Sequence, residues 1–574
     1  AVESRGDLLI DDGGKLANVA SEVYAEEYKA ASATKGWLAG LMTARNSKAY
    51  RSAIDLKDAS LLAGGCARKF GHGIYVYNAG IDTLNNEYWL RKGADFGVPL
   101  VDSSDPAVLK NPKQAADNHV AAVAAAERAL MSDLTRRKQQ LDDILDTDAQ
   151  TAASMLDKGP SDAAFMSLVQ AGDLPITVCS LLPGIDFSKL DMRVMLQHLQ
   201  DYGELPPGVT PEQIMAALAQ VNQVLHSDNG LSHYNDLQNL LGLLKGLAPG
   251  AIDFVVLGLS DTDLVALDKT VNQHGLAPHG FNGGLSHWEV IDFHSLFLAN
   301  ASAATLFRLG RSWPSIEPDL GGVDAVQNHE MAMPHWGDPP SGGLFKLDAN
   351  GNPVVGAGDV DQGMVGDCWL QAKMAALAQQ HPEWALQHVS QNANGTISVV
   401  MYDRDGTAHT VTTTNQLPVG DNGSPVYSGN SGTGANWSSY YEKALAIASQ
   451  HGSDGEAGYG GIEGGWGADD AQLMTGHGAD DADGGLFGWG GPSFDKVHAA
   501  VDAHRPVVVG TNGSSDIPDN LKDSFHAHHE YYVIGFTSDG CIKLGNPWSS
   551  GDPQLVLTED QFNDYINDAA VLNP

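Results

Sequence analysis

Basic residues are scarce in this 574-residue chain: 33 Lys and Arg stand against 71 Asp and Glu, a formal net charge of −38 at pH 7. Affinity for nucleic acid comes largely from releasing counterions around phosphates that Lys and Arg neutralise, so DNA and RNA are excluded as partners. Anionic membrane surfaces are disfavoured by the same repulsion. Cysteine is also rare. Cys66, Cys179, Cys368 and Cys541 are the only four, and no two have CxxC spacing; this excludes thiolate zinc sites and densely cross-linked secreted domains. Long apolar runs are missing as well. The longest stretch, from Leu240, is broken by Lys245, Pro249 and Asp253 and reads as core, so no membrane span is expected. The opening AVESRGDLLIDD carries acidic residues where a signal peptide would have an apolar centre. Export is therefore expected by a route without a signal peptide, with residence in the cytoplasm as the alternative.

What remains is ample for folding. With 43% hydrophobic and 18% charged residues the chain can build packed cores, unlike an acidic disordered polymer. Its length suggests about two to four domains. Residues 16 to 160 read as helical. Lys113 to Leu156 contains no Pro or Gly, and Val123, Leu130, Leu134, Leu141, Leu145 and Ala152 alternate steps of seven and four, a one-sided seam for a long antiparallel partner helix. Arg136, Arg137 and Lys138 fall beside that seam as a solvated face. A second helical region runs to Leu309, with start signals at Thr210-Pro211-Glu212 and Ser260-Asp261. There is no fixed-period repeat.

Composition changes after residue 310. Pro314, Pro318, Pro334, Pro339 and Pro340, together with Gly pairs, mark 311–345 as a linker or irregular surface segment. Beyond it, two strands are expected around Asp405-Gly406 and two more around Asp539-Gly540. The Gly surplus gathers between residues 452 and 491, where regular structure is weakly signalled. The expected architecture is a long-helix arm domain (1–170), a second helical domain (171–310), a linker (311–345) and a mixed domain (346–574): an all-α region followed by an α+β one.

Three stretches carry chemistry. In DQGMVGDCWLQAKMAALAQQ, from Asp361, Cys368 follows a Gly-rich turn and opens a helical run. Backbone N–H groups at a helix start favour the thiolate, the nucleophilic form. Gln362, six positions earlier, could direct an amide N–H at the oxygen of a carbonyl under attack, completing an oxyanion hole with the Cys368 N–H. His529 opens an apolar strand-like run 161 residues after Cys368, and Asn546 follows 17 residues later, after a hairpin. An Asn carbonyl on one imidazole nitrogen would leave the other facing the thiol. Trp548 would shield that bond from water. His526 and His528 compete with His529 for the base role, and Cys541 is expected in the core.

These residues resemble the calpain family of papain-like cysteine proteases. QGMVGDCWLQA is similar to the family's nucleophile motif, HEYYVIG to its histidine strand and GNPW to its Asn-Pro-Trp motif. NQLPVG, ending at Gly420, WSSYYEKALA, from Trp437, and AQLMTG, ending at Gly476, fit in order between them. The resemblance spans residues 345 to 574. It implies a papain-like fold and a cysteine endopeptidase acting on proteins or peptides, with Cys368 as nucleophile, His529 as general base and acid, Asn546 as orienter, Gln362 as oxyanion donor and Trp548 as shield. The alternatives are an inactive papain-like binding protein and an acyl-transferring papain-like toxin.

No cofactor is required by this chemistry, and calcium is the one to weigh. Asp359 lies where calcium-switched members place a ligand, but Ala357 and Ala435 stand where an Arg and an acidic residue would be expected. Asp480, Asp481 and Asp483, in the Gly-rich segment, are either further cation ligands or a solvated loop. The loop from Asp348 has oxygen side chains at calcium-loop spacing, but Pro353 replaces the required Gly, so a hairpin turn is expected. The N-terminal part resembles the helical regions of type VII secreted bacterial effectors, which implies a secretion machinery as partner; a general helical interaction region is the alternative. The helical part is further expected to hold the protease latent until 311–345 is cut. Residues 346–574 carry 8 basic and 29 acidic residues, a balance of −21; this reads first as charge that keeps the chain soluble, with an acidic cleft surround favouring basic substrates or cations as the alternative.

Overall fold

The computed structural model describes residues 7–15, 48–182, 184–227, 231–273, 284–429, 432–450, 458–465, 470–482, 491–514, 517–548 and 554–574. The chain divides into two compact units, Ala1–Met215 and Ala216–Pro574.

The first unit is helical. Helix α1 (Lys48–Gly93) packs along α2 (Pro112–Lys158), which starts at Pro112 with the Asn111 side chain accepting from the Gln114 N–H. The expected seam is present: Leu141 meets Gly80 and Leu145 meets Gly73, so the helices run antiparallel. Arg136 and Lys138 face solvent and pair with Asp133 and Asp142 on their own helix, whereas Arg137 crosses to Glu87 of α1 at 2.6 Å. Farther along α1, buried His72 lies between Asp173, 2.8 Å from Nδ1, and Glu204, 3.4 Å from Nε2, with its ring stacked 4.0 Å from Tyr202. Burial pulls the imidazole pKa down, but the bonds to the two carboxylates outweigh it and push it up to about 9.

In the second unit, helix α3 (His287–Asn300) packs on a three-stranded antiparallel sheet of β2 (Val389–Gln391), β3 (Ile397–Tyr402) and β4 (Ala408–Thr413). The turn at Asp405-Gly406 joins β3 to β4 as the sequence predicts. Ser295 of α3 accepts from the Thr412 N–H at 2.9 Å, and Trp288 stacks on His409 at 4.5 Å. Helices α4 (Cys368–Gln380) and α5 (Trp437–Gln450) share one core with this sheet, through Trp369, Leu370, Trp384, Val399, Trp437 and Tyr441. On its other side α4 meets a six-stranded antiparallel sheet. Its order is β10 (Leu555–Leu557), β9 (Ile542–Gly545), β8 (Glu530–Phe536), β7 (Val507–Thr511), β11 (Ile566–Leu572) and β6 (Ala479–Asp481). Ala372 and Ala376, one turn apart, press against Val508 and Ala570; small side chains there let helix and sheet approach closely. Helix α6 (Phe494–Asp502) and helix α7 (Glu559–Tyr565) close the core on the same sheet.

The segment 311–345 does not run free. Strand β1 (His335–Gly337) pairs antiparallel with β5 (Leu417–Val419). Leu320, Val323 and Ala325 enter the core of α4 and α5, as does Ile291 of α3. Gly458, at φ +69°, lies against Asp319, where an added Cβ would come within 2.3 Å of the Asp319 carbonyl oxygen. Pro and Gly make this segment irregular, as its composition predicts; being irregular does not make it a tether. Likewise the helices beyond residue 216, expected as a domain of their own, belong to the unit that contains the sheets. Apolar periodicity shows that a helix buries one face without naming what covers it. Among the described residues no helix is long and apolar enough to cross a membrane.

Candidate active site

Cys368 opens α4 as expected, on a turn that depends on Gly363: a Cβ there would lie 2.1 Å from the Tyr427 carbonyl oxygen, so only Gly lets the two backbones pass. The far end of α4 is fixed where Gln379 Nε2 donates to the Val533 and Ile534 carbonyls, at a break in the β8–β9 register. The near end sets Cys368 beside the start of β8, on which α4 packs, so that the Glu530 N–H favours the thiolate.

His529 directly precedes β8 and Asn546 directly follows β9. The hairpin turns at Asp539-Gly540, and its register sets Tyr532 opposite Gly545, so the residues just beyond are neighbours. His529 Nε2 lies 2.8 Å from Asn546 Oδ1, both side chains being buried. Trp548 is partly exposed; its ring centroid is 4.6 Å from that of His529, and its backbone N–H donates to the same Asn546 oxygen at 3.1 Å. Gln362 joins the group through its backbone, which donates to the Pro547 carbonyl at 2.8 Å. Its side-chain Nε2 donates to the Val365 carbonyl at 2.9 Å.

The competing histidines are placed differently. His528 is exposed, at φ +55°. His526 is half-buried, 4.2 Å from the Trp548 ring. A residue that sequence reasoning missed holds this turn. Thr511 of β7 accepts from the His529 N–H at 3.0 Å and donates to the His526 carbonyl at 2.6 Å. Only the β7–β8 register, which sets Gly510 opposite Glu530, points to it.

One expectation is corrected. The helix start was expected to lower the Cys368 pKa, but burial pushes the thiol up to about 11. The N–H groups of Glu530 and Trp369 pull the other way, and the charges of Glu530 and Asp367 add to the rise. Cys541 is also corrected: it lies in the hairpin turn before β9 and is half-buried, outside the core. None of the four cysteines, all of them among the described residues, forms a disulfide.

The cation candidates are engaged elsewhere or dispersed. The Asp359 carboxylate accepts from Gly356 N–H at 3.0 Å and from Trp437 Nε1 at 3.3 Å, closing a short turn against α5. Asp480 pairs with Arg505 at 2.6 Å, Asp481 ends β6, and Asp483 lies outside the described residues. The Asp348 loop is the expected hairpin turn, with Leu347 opposite Pro353. Among the described residues no three of His, Cys, Asp and Glu are grouped as a metal site requires.

No curated protein matches the chain. Residues 352–552, about a third of its length, match the family described as calpain family cysteine protease, and the match includes Cys368, His529 and Asn546. The C-terminal part of the chain thus carries a calpain-type cysteine protease domain.

Proposed function

We propose that the chain is an endopeptidase that cleaves proteins through Cys368, His529 and Asn546. The observation that carries this reading is the 2.8 Å bond from His529 Nε2 to Asn546 Oδ1, made just before the strand on which the Cys368 helix packs. The bond occupies Nε2 and leaves Nδ1 as the nitrogen to serve the thiol. Because burial keeps the resting thiol protonated, His529 takes its proton as the sulfur attacks a peptide carbonyl. The carbonyl oxygen becomes an oxyanion held by the Cys368 backbone N–H and a Gln362 side-chain N–H. The imidazolium then protonates the leaving amine. Water, activated by the neutral imidazole, hydrolyses the thioester and restores the thiol. Trp548 keeps bulk water from the His529–Asn546 bond. No step calls on a metal.

Cys368→Ala should abolish peptide cleavage and labelling by a thiol-directed epoxide without shifting the melting temperature. A variant that cleaves as well as the parent would refute the assignment. The raised Cys368 pKa favours a second reading, a papain-like domain that binds peptides without cutting them. A parent that binds peptides but resists the epoxide would select it. For the first unit we propose a role in export, supported by the long α1–α2 pair; deleting residues 48–158 should then retain the protein inside the producing cell.

A further inference from the structure

Asp367, immediately before Cys368, is fully buried beside Glu442 on α5, which is equally shut from water, and its Oδ1 meets no N–H or O–H donor. Gln371, one turn along α4, donates Nε2 to both, 2.8 Å from Asp367 Oδ2 and 3.2 Å from Glu442 Oε1. From the other side the Ser428 N–H reaches both Glu442 oxygens, at 3.1 and 3.2 Å. Asp367 occupies the N-cap position of α4, where Asp ordinarily accepts from its own helix, yet its side chain makes no capping bond. It is turned inward, toward Glu442. Two buried carboxyls that share one amide donor do not both ionise without water, and a proton between them would satisfy the otherwise orphaned Asp367 Oδ1.

We propose that Asp367 and Glu442 share one proton and act as positioning residues for the nucleophile, tying the first turn of α4 to α5 while the proton is held and loosening it when the pair ionises. This rests on Cys368 being the nucleophile. Burial pushes both carboxyls upward, Asp367 to about 7 and Glu442 well above the usual carboxyl range. The groups around the pair favour the protonated form. Tyr427 and Tyr459 approach from the segments flanking α5 in sequence, and the Glu463 charge acts on Asp367. Glu463 accepts from Gly366 N–H at 3.1 Å and from Asp324 N–H at 2.7 Å. Lys443, next to Glu442, is turned to Glu317 at 2.7 Å. Glu530 acts from β8 on Cys368, whose thiol the Asp367 charge also pushes up. Loss of the shared proton therefore both frees the helix start and makes the thiol harder to ionise.

The test compares the full chain with Glu442→Gln and Asp367→Asn, amides that keep size and hydrogen bonding but cannot share a proton. Infrared spectra of the parent at neutral pH should contain the C=O stretch of a protonated carboxyl, shifted in both variants, where the remaining carboxyl faces an amide in place of a carboxylate. Alkylation of Cys368 by iodoacetamide should level off in the parent as pH rises and keep climbing in Glu442→Gln, to a rate about tenfold higher at alkaline pH. A parent without the carboxyl band, or superimposable alkylation profiles, would overturn the proposal. Peptide cleavage is read separately: a parent that shows both signatures and cuts nothing upholds the pair and removes the peptidase reading.

Discussion

Asn546→Ala isolates the bond on which the proposed chemistry depends. His529 and Asn546 are 6% and 7% exposed, so water cannot readily replace the lost acceptor. A buried donor left unsatisfied costs about 1–3 kcal/mol. At about 1.4 kcal/mol per factor of ten, kcat/KM on a fluorogenic peptide should fall about 5- to 150-fold. The loss should lie toward the upper end, because the Trp548 N–H gives up the same acceptor and the ring is freed from His529. Asn546→Asp keeps the acceptor and adds a negative charge. It should recover most of the lost activity while moving the acid limb of the pH–rate profile upward, since a carboxylate stabilises the imidazolium. Melting curves for each variant separate a catalytic loss from an unfolded protein. Activity of Asn546→Ala within about twofold of the parent, with an unchanged melt, would refute the orienting role and the choice of His529.

The other predictions follow from packing and from charge. A fragment of residues 346–574 should fail to melt cooperatively, because Ile291, Leu320, Val323 and Ala325 complete its core and β1 covers β5; a folded, active fragment would contradict this. Gly363→Ala should lower stability by about 1–3 kcal/mol or more in urea titrations, since the added Cβ meets backbone that cannot swing aside. Stabilisation of the first unit by protonated His72 should be complete below its ordinary pKa and disappear as pH rises through about 9. Hydrogen exchange around residues 68–76 should accelerate over that window, and His72→Gln should remove the pH dependence.

What could be read from sequence was whatever short stretches encode by themselves. The turn before Cys368, the apolar strand after His529 and the Asn-Pro-Trp run each carry a local pattern, and their order restricts them to one topology. The α1–α2 seam was legible because helical periodicity marks a face directly. The direction of the Cys368 pKa was not legible, because helix-start polarity is local whereas burial against β8 is set 162 residues away. Thr511 emerges only from strand register. Asp367 and Glu442 stand 75 positions apart, and nothing in either stretch announces the other. In 311–345, Pro and Gly report backbone irregularity and say nothing about burial, so composition does not tell a linker from an irregular segment that packs, as Leu320 and Val323 do.

That segment also bears on how processing would look at the bench. Lys443, fully buried on α5, has its ammonium held by Glu317, Thr414 and the Gln416 carbonyl, with the Trp336 ring 4.4 Å away. Glu317 and Trp336 lie on either side of any cut made between them, and both remain anchored to the same lysine. A nicked molecule would run as two bands in detergent, yet keep its native mass and elute as one species. Gel evidence of cleavage in this stretch would record a broken peptide bond, not a departed inhibitor.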